Sequence, residues 1–586
     1  MKFQTNNRYL HNDIHINKSK LKHEIILCLI AIFYSLTIKS QEIQIKIIGN
    51  SIAETKTIDS IGYTSKLLNT KQANDEIKTI TQKLATAGYI YNKISHIIKE
   101  KDSSYIAKIS LENKIKELHI YIGIKNEIKI LEILDLKQDS IFLPYSQIES
   151  FLKQTSQKLE KKGYSFAKVK LINFTEKKQI LYTTLIIKPG SKRKLKKIEL
   201  KYSTQTQKNI FPKGAEIQIN KKYKDTIFNN EIVENIHNDF EKFGFINQTK
   251  YPEILFSKDS TKVFVYLEKR KANNFDGYLG FNNSENKKIK FNGFLDLTLI
   301  NAIKNGEELS VYWKENGNNQ KIFNLKIEIP YILNSRLGIK GQINIFKQDS
   351  IFQNTKTTIQ LGYLINYNKR IYLGFESTES SDIQNSNTIN LNDYNSTFLT
   401  SNFELNKNDF KNNLFPIKNY IKLTIGTGKR TNTQNTSTKQ NFVNFNIMNN
   451  LHLNKNNFIY FNFQSFILKS KTYLTNELYR FGGTNSIRGF TENSLQSNFM
   501  TGLMTEYRYL LSPKIYLNSV LDYCFYNDPT TIKTENKNKN LIGIGLGFGI
   551  LTDNGLMKFS ITNGKTKKEE IKLYNTNITI SYNVKF

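Results

Sequence analysis

Cysteine is almost missing from this chain, with two in 586 residues, Cys28 and Cys524. Cys28 falls in a segment expected to be removed. Cys524 then stands alone, which excludes an intramolecular disulfide and a paired-cysteine metal site. Long apolar runs are also lacking. Beyond residue 40 no stretch approaches the roughly 20 apolar residues that a membrane helix needs. Passage through a membrane would therefore require a closed β-barrel, the other architecture that satisfies every backbone group in lipid. Enzyme signatures are absent too: there is no Gly-x-Ser-x-Gly elbow, the seven His are scattered, and no His, Cys and carboxylate cluster has metal spacing. Gly426-Thr-Gly-Lys429 is not a phosphate-binding loop, because Leu423 stands where its first Gly belongs. The expectation is a chain with no enzymatic activity, cofactor or metal.

Residues 1–40 read as an export signal. Lys18, Lys20 and Lys22 precede the apolar stretch 25–38, and Ser40 is a small residue suited to cleavage before Gln41. A lipoprotein signal fits less well, since Leu27 precedes Cys28 where a small residue is wanted. The formal net charge of +33 invites a nucleic-acid reading. The Lys residues, however, are spread along the whole chain beside equally abundant Asn and Ile, so no nucleic-acid partner is expected. Attraction to anionic lipid or acidic polypeptide is the better expectation. The basic stretch 192–197 is read as a solvated strand edge.

What is present is alternation. In Ile578-Thr-Ile-Ser-Tyr-Asn-Val-Lys-Phe586 the residues Ile578, Ile580, Tyr582, Val584 and Phe586 share one face of a strand, and polar residues share the other. A membrane barrel needs this pattern, with lipid outside and water or a polar plug inside. From residue 276 onward such strands recur, each about ten residues long and separated by Asn, Lys, Gly and Thr. About sixteen can be counted to the carboxy-terminus. An even number keeps both ends of the sheet on one side of the membrane.

The amino-terminal half repeats a different unit three times. Its marker is a helix ending in Gly plus an aromatic: Leu84-x-x-x-Gly88-Tyr89, Leu159-x-x-x-Gly163-Tyr164 and Phe240-x-x-x-Gly244-Phe245. The spacings, 163 − 88 = 75 and 244 − 163 = 81, suit one small domain each. Each Gly is expected to take the left-handed conformation that ends a helix, and the aromatic to fold back on the apolar residue before it. An amphipathic helix precedes each marker, as in 146–162, and strand-like runs open and close each unit. The expected division is 1–40 signal, 41–115, 116–191 and 192–272 small α+β units, and 273–586 barrel.

The order of these parts, and the run Arg480-Phe-Gly-Gly-Thr-Asn-Ser-Ile-Arg-Gly-Phe490 between the eleventh and twelfth strands, resemble the BamA/TamA superfamily of outer-membrane proteins. The fold this implies is periplasmic α+β POTRA repeats followed by a transmembrane antiparallel β-barrel. The run looks like the superfamily's sixth-loop signature, Gly482, Gly483, Arg488, Gly489 and Phe490. In that family the loop folds into the lumen and its Arg meets carboxylates on nearby strands. Glu506 and Arg508 share a face of the strand resembling the twelfth, and Asp522 points inward from the thirteenth. The resemblance implies that Arg488 bonds Asp522, Glu506 or both. Alternating Gly543, Gly545, Gly547 and Gly549 suggest room for something packed close to the wall, such as that loop.

With three units the chain most resembles TamA. The implied function is insertion of proteins into the outer membrane of a diderm bacterium, with the POTRA units in the periplasm receiving unfolded outer-membrane clients. Entry would be by strand addition at a seam between the first and last barrel strands, marked by Gly277, Gly280, Tyr582 and Phe586. A TamB-like inner-membrane-anchored protein and outer-membrane lipid are the other implied partners. A two-partner-type secretion pore exporting a dedicated protein is the alternative.

Overall fold

The structure is a computed structural model. It describes residues 42–586 except 123–125, 127, 137, 204–208, 259, 284–288, 317–319, 386–389, 411, 434–435, 532–536 and 567–575, and without the side chains of 278–292. The signal segment lies outside the described residues. The chain divides into two compact units, 1–192 and 193–586.

The first unit holds two four-stranded sheets of one design. In each, the first strand lies parallel to the last: Ile43–Ile48 beside Ser104–Ser110, and Glu117–Tyr121 beside Ile180–Lys188. Helices cover one face of each sheet because every second strand residue is apolar. Ile45, Ile47, Ala107 and Ile109 meet Ile77, Ile80 and Leu84 of helix Thr70–Thr86 in one buried cluster. Asn69 caps that helix, its side chain accepting the Gln72 N–H at 2.9 Å. The helix ends as its sequence marker implies. Gly88 and Gly163 have φ of 107° and 96°. The N–H of Tyr89 donates to Leu84 O, and that of Tyr164 to Leu159 O, both at 3.0 Å.

The second unit begins with a third module of the same kind, in which Leu195–Tyr202 lies parallel to Thr261–Lys269. Here the third marker departs from expectation, since Gly244 has no positive φ. Phe243 and Phe245 instead turn into an aromatic cluster with Phe211, and a Cβ on Gly244 would stand 2.8 Å from the Phe410 ring. This glycine makes room for a neighbour. The basic stretch is also more than a solvated edge: Arg193 is buried and donates to Thr261 Oγ1 at 3.0 Å and Ser260 O at 2.7 Å.

Sixteen antiparallel strands follow and close into a barrel: β1 Asn274–Asn283, β2 Ile289–Ile300, β3 Glu308–Asn316, β4 Gln320–Ile332, β5 Leu337–Gln348, β6 Phe352–Asn366, β7 Lys369–Asp382, β8 Tyr394–Asn408, β9 Ile417–Asn432, β10 Ser437–His452, β11 Asn457–Lys469, β12 Phe499–Ser512, β13 Ile515–Asn527, β14 Asn538–Leu551, β15 Gly555–Thr566 and β16 Asn577–Lys585. Outward residues form an apolar belt including Ile359, Leu373, Phe375, Leu399, Leu521 and Leu546, with Phe375 and Leu546 each 69% exposed. A contiguous apolar surface of this extent would be covered by lipid. Inward positions are polar or filled by other parts of the chain.

The third module seats on the turns at the end where the chain enters the barrel. Asn301 Nδ2 donates to Ile210 O at 2.7 Å, and Gln218 Nε2 to Asn334 O at 2.5 Å. The Phe243 and Tyr367 rings lie 4.4 Å apart, and the Arg270 guanidinium lies 4.8 Å from the Phe410 ring centre. Ile300, Tyr331 and Tyr367 of the barrel pack onto the module's own core.

Candidate functional site

Strands β11 and β12 are joined by residues 470–498, which turn back into the lumen. A short ladder, Tyr479–Phe481 against Leu495–Ser497, holds the two limbs of this loop together. At its tip the Gly483 N–H donates to Ile487 O at 3.0 Å, and Gly482 and Gly483 have φ of 106° and 95°. Phe481 and Ile487 are buried against Met500, Met504 and Cys524 of the wall, with Phe490 packed on the same cluster.

Arg488 is thereby brought to the two carboxylates expected of it. Its Nε donates to Asp522 Oδ2 at 2.8 Å and Nη2 to Asp522 Oδ1 at 2.6 Å, while its backbone N–H donates to Oδ2 at 3.0 Å. Nη1 is bonded to Glu506, and Nη2 also donates to Thr505 O at 3.2 Å. Arg508 completes the group: its Nε donates to Glu506 Oε2 at 2.6 Å and its Nη1 to Asn450 Oδ1 at 2.8 Å. Asp522 is fully buried and Arg488 is 8% exposed. An ionised carboxylate out of water is costly unless paired and hydrogen-bonded. The forked arginine meets that need with charge-assisted bonds.

Glycine permits the approach. Gly489 has φ 88°, and a Cβ there would meet the Asn563 carbonyl oxygen at 2.5 Å. A Cβ on Gly543 would collide with the Arg488 carbonyl oxygen. Of the four alternating glycines, Gly543 alone serves the loop. Gly545 and Gly547 make room for neighbouring strands, through Ile561 and Phe559 respectively, and Gly549 for the Tyr516 ring. Gly564, which the alternation did not single out, also faces the loop, 2.7 Å from Gly489 O for an added Cβ.

Other tethers carry no sequence signature. Glu492 of the loop pairs with Lys314 on β3, and Tyr312 OH donates to Glu492 Oε1 at 3.4 Å. Eight strands lie between β3 and β12 on one side of the ring of sixteen and six on the other, so Lys314 and Glu506 stand on facing walls. Glu477 at the loop's base is paired with Arg430 on β9. Below the loop lies a cavity of about 1740 Å³, reached by Arg270 of the third module, Glu404 and Arg508 of the wall, and Arg488 and Glu492 of the loop.

At the seam, β1 and β16 share two residue pairs, Asn274 with Lys585 and Phe275 with Val584. The Phe586 N–H adds a bond to Asn273 O at 3.1 Å. Every other neighbouring pair in the barrel shares eight to fifteen. The ladder stops before Gly277 and Gly280 on one side and Tyr582 on the other, whose hydroxyl lies 2.9 Å from Thr552 Oγ1. Phe586 marks the closed end of the seam.

Similar folds occur among solved structures. BamA from Haemophilus ducreyi lacking POTRA domains 1–3 aligns at 17% identity and a TM-score of 0.47, covering 79% of this chain and 99% of that one. CdiB from Acinetobacter baumannii aligns at 12% identity and 0.48, covering 80% and 90%. CdiB from Escherichia coli aligns at 11% identity and 0.46, covering 87% and 98%. No protein-family model and no curated protein matches the sequence.

Proposed function

We propose that the chain is an outer-membrane protein of the BamA/TamA superfamily, inserting client barrels by strand addition between β1 and β16. The two-pair seam is the observation that carries this reading. Past Phe275, eight residues of β1, 276–283, and past Val584 the rest of β16, lack ladder partners across the seam among the described residues, although the Asp276 carboxylate accepts the Tyr582 N–H. Unpaired backbone groups facing lipid cost several kcal/mol each. An incoming strand satisfies them, so main-chain hydrogen bonds supply affinity for any client whose side chains alternate suitably. No covalent catalysis or cofactor is required.

In this reading the three α+β modules lie in the periplasm and receive unfolded clients, with a TamB-like inner-membrane-anchored protein as a further partner and outer-membrane lipid around the belt. The third module, seated on the barrel turns, would deliver clients near the mouth. A second reading, a secretion pore for one dedicated protein, is favoured by the cavity of about 1740 Å³ inside the barrel, which many charged side chains reach. Depletion of the protein followed by quantification of the outer-membrane and secreted proteomes separates the two. Loss of many different barrels supports insertion. Loss of one secreted protein with barrels intact overturns it.

A further inference from the structure

The base of the loop carries a second buried ion pair, chemically the reverse of the first. At the tip the loop supplies the arginine and the wall the carboxylates. At the base the loop supplies Glu477 and the wall supplies Arg430 from β9. Both side chains are nearly inaccessible, at 4% and 6%. The Glu477 carboxylate also accepts from Gln440 Nε2 of β10 at 2.8 Å and from the Leu474 N–H at 2.9 Å. Arg430 Nη2 donates back to Thr472 Oγ1 at 2.8 Å. Beside the pair, Asn476 is 1% exposed; its Nδ2 donates to Ser380 Oγ at 2.7 Å and Asn392 O at 2.8 Å, and its carbonyl accepts from Asn354 Nδ2 at 2.6 Å.

We propose that Arg430 and Glu477 form a second latch, which holds the outer limb of the loop to the β6–β10 wall and keeps the lumen closed beneath it. The tip latch alone fixes the loop to β12 and β13. With the base latch and the Glu492–Lys314 pair, the loop is tied to three sectors of the wall and spans the lumen as a strut. A buried carboxylate needs a partner to remain in place. Neutralising either member therefore removes the reason for the limb to stay folded against β9, and the limb moves toward water. Arg430 and Glu477 are positioning residues, acting through the loop.

The test uses the purified full chain in planar lipid bilayers. Glu477→Gln and Arg430→Gln should raise the fraction of time spent in a conducting state by about a hundredfold, the loss expected for breaking a buried pair. Trypsin should also begin to cut at Lys471 and Arg480 while the barrel still migrates as folded on unheated gels. The exchanged pair, Glu477→Arg with Arg430→Glu, should return conductance and protease resistance toward the wild type, which a purely steric role would not do. Wild-type conductance and protease resistance in folded Glu477→Gln would overturn the proposal, as would failure of the exchange to rescue. If Glu477→Gln does not fold, Gln440→Ala removes one bond to the same carboxylate; increased cutting supports the latch and unchanged cutting overturns it. Conductance does not depend on client assembly, so this result stands apart from the outcome of the depletion experiment.

Discussion

Arg488 and Asp522 meet as a fork on a carboxylate, with Nε to Oδ2 at 2.8 Å and Nη2 to Oδ1 at 2.6 Å, across 34 residues of sequence. Because Asp522 has no exposed surface, its carboxylate relies on this partner for the hydrogen bonds that water would otherwise supply. Arg488→Ala leaves the carboxylate buried and unpaired, a loss of roughly 3–5 kcal/mol. The expected result is a folded barrel with a displaced loop and, on the proposed insertion role, lost assembly activity. Cys524 reports the displacement, since it is buried with Ile487 of the loop. Its thiol should resist maleimide in the wild type and react in Arg488→Ala. Lys in place of Arg488 supplies charge without the fork and should give intermediate labelling. Equal labelling of all three proteins would mean that the latch does not hold the loop.

The seam invites a covalent test. The Phe586 N–H donates to Asn273 O, so the next pair, Asn274 and Lys585, is the non-bonded kind in which side chains stand closer. Asn274→Cys with Lys585→Cys should oxidise to a disulfide without moving the backbone. On the proposed insertion role, the oxidised form should lose client insertion and regain it on reduction. Undiminished insertion by the cross-linked protein would show that clients do not enter between β1 and β16.

Local periodicity explains what the sequence revealed. Alternation along Ile578 to Phe586 marked both the lipid face and the end of the barrel, and the same parity set Glu506 and Asp522 inward. Strand count follows from repeated alternation, and the loop motif carries its own signature in Gly482, Gly483, Arg488 and Phe490. What escaped is whatever depends on closure. Arg430 and Glu477 lie 47 residues apart, and Lys314 and Glu492 lie 178 apart. No local pattern joins them before the barrel rolls up. Gly244 was misread for a related reason: its marker matches Gly88 and Gly163, yet Phe410 of a distant turn decides its role.

That contact is itself testable. An added Cβ at Gly244 would stand 2.8 and 3.0 Å from two atoms of the Phe410 ring, closer than packed carbons tolerate. Gly244→Ala should cost about 1–3 kcal/mol of docking, read as faster hydrogen exchange at the Asp409 amide, which donates to Pro416 O. Phe410→Ala in the same chain should relieve the clash, so that the double variant exchanges more slowly than Gly244→Ala. Additive losses in the double variant would mean that the ring is not the obstacle.

Asp239 links two helices of the third module and gives that module a pH dependence. Its carboxylate is buried at 8% exposure, which by itself would push its pKa up. Lys222 Nζ at 2.7 Å, Lys242 and the Tyr223 hydroxyl at 2.7 Å outweigh burial, and the net effect holds the group below its ordinary value. Burial, with Asp239 nearby, pushes the Tyr223 hydroxyl up, so it remains a donor at neutral pH. A pKa lowered in the folded state contributes stability that is present above the unfolded value of about 3.9 and lost as pH falls through the folded one. The module should thus keep this contribution through the neutral range and surrender it only in acid below about pH 4. Asp239→Asn removes the charge while Lys222 and Lys242, both partly exposed, remain solvated, costing roughly 1–2 kcal/mol. Amides of helix Asn230–Phe240 should then exchange about tenfold faster at pH 7, and the acid dependence of their exchange stability should flatten. Exchange rates unchanged by the substitution would place the stability of this helix in its apolar contacts with Val263 and Val265 instead of in the buried charge.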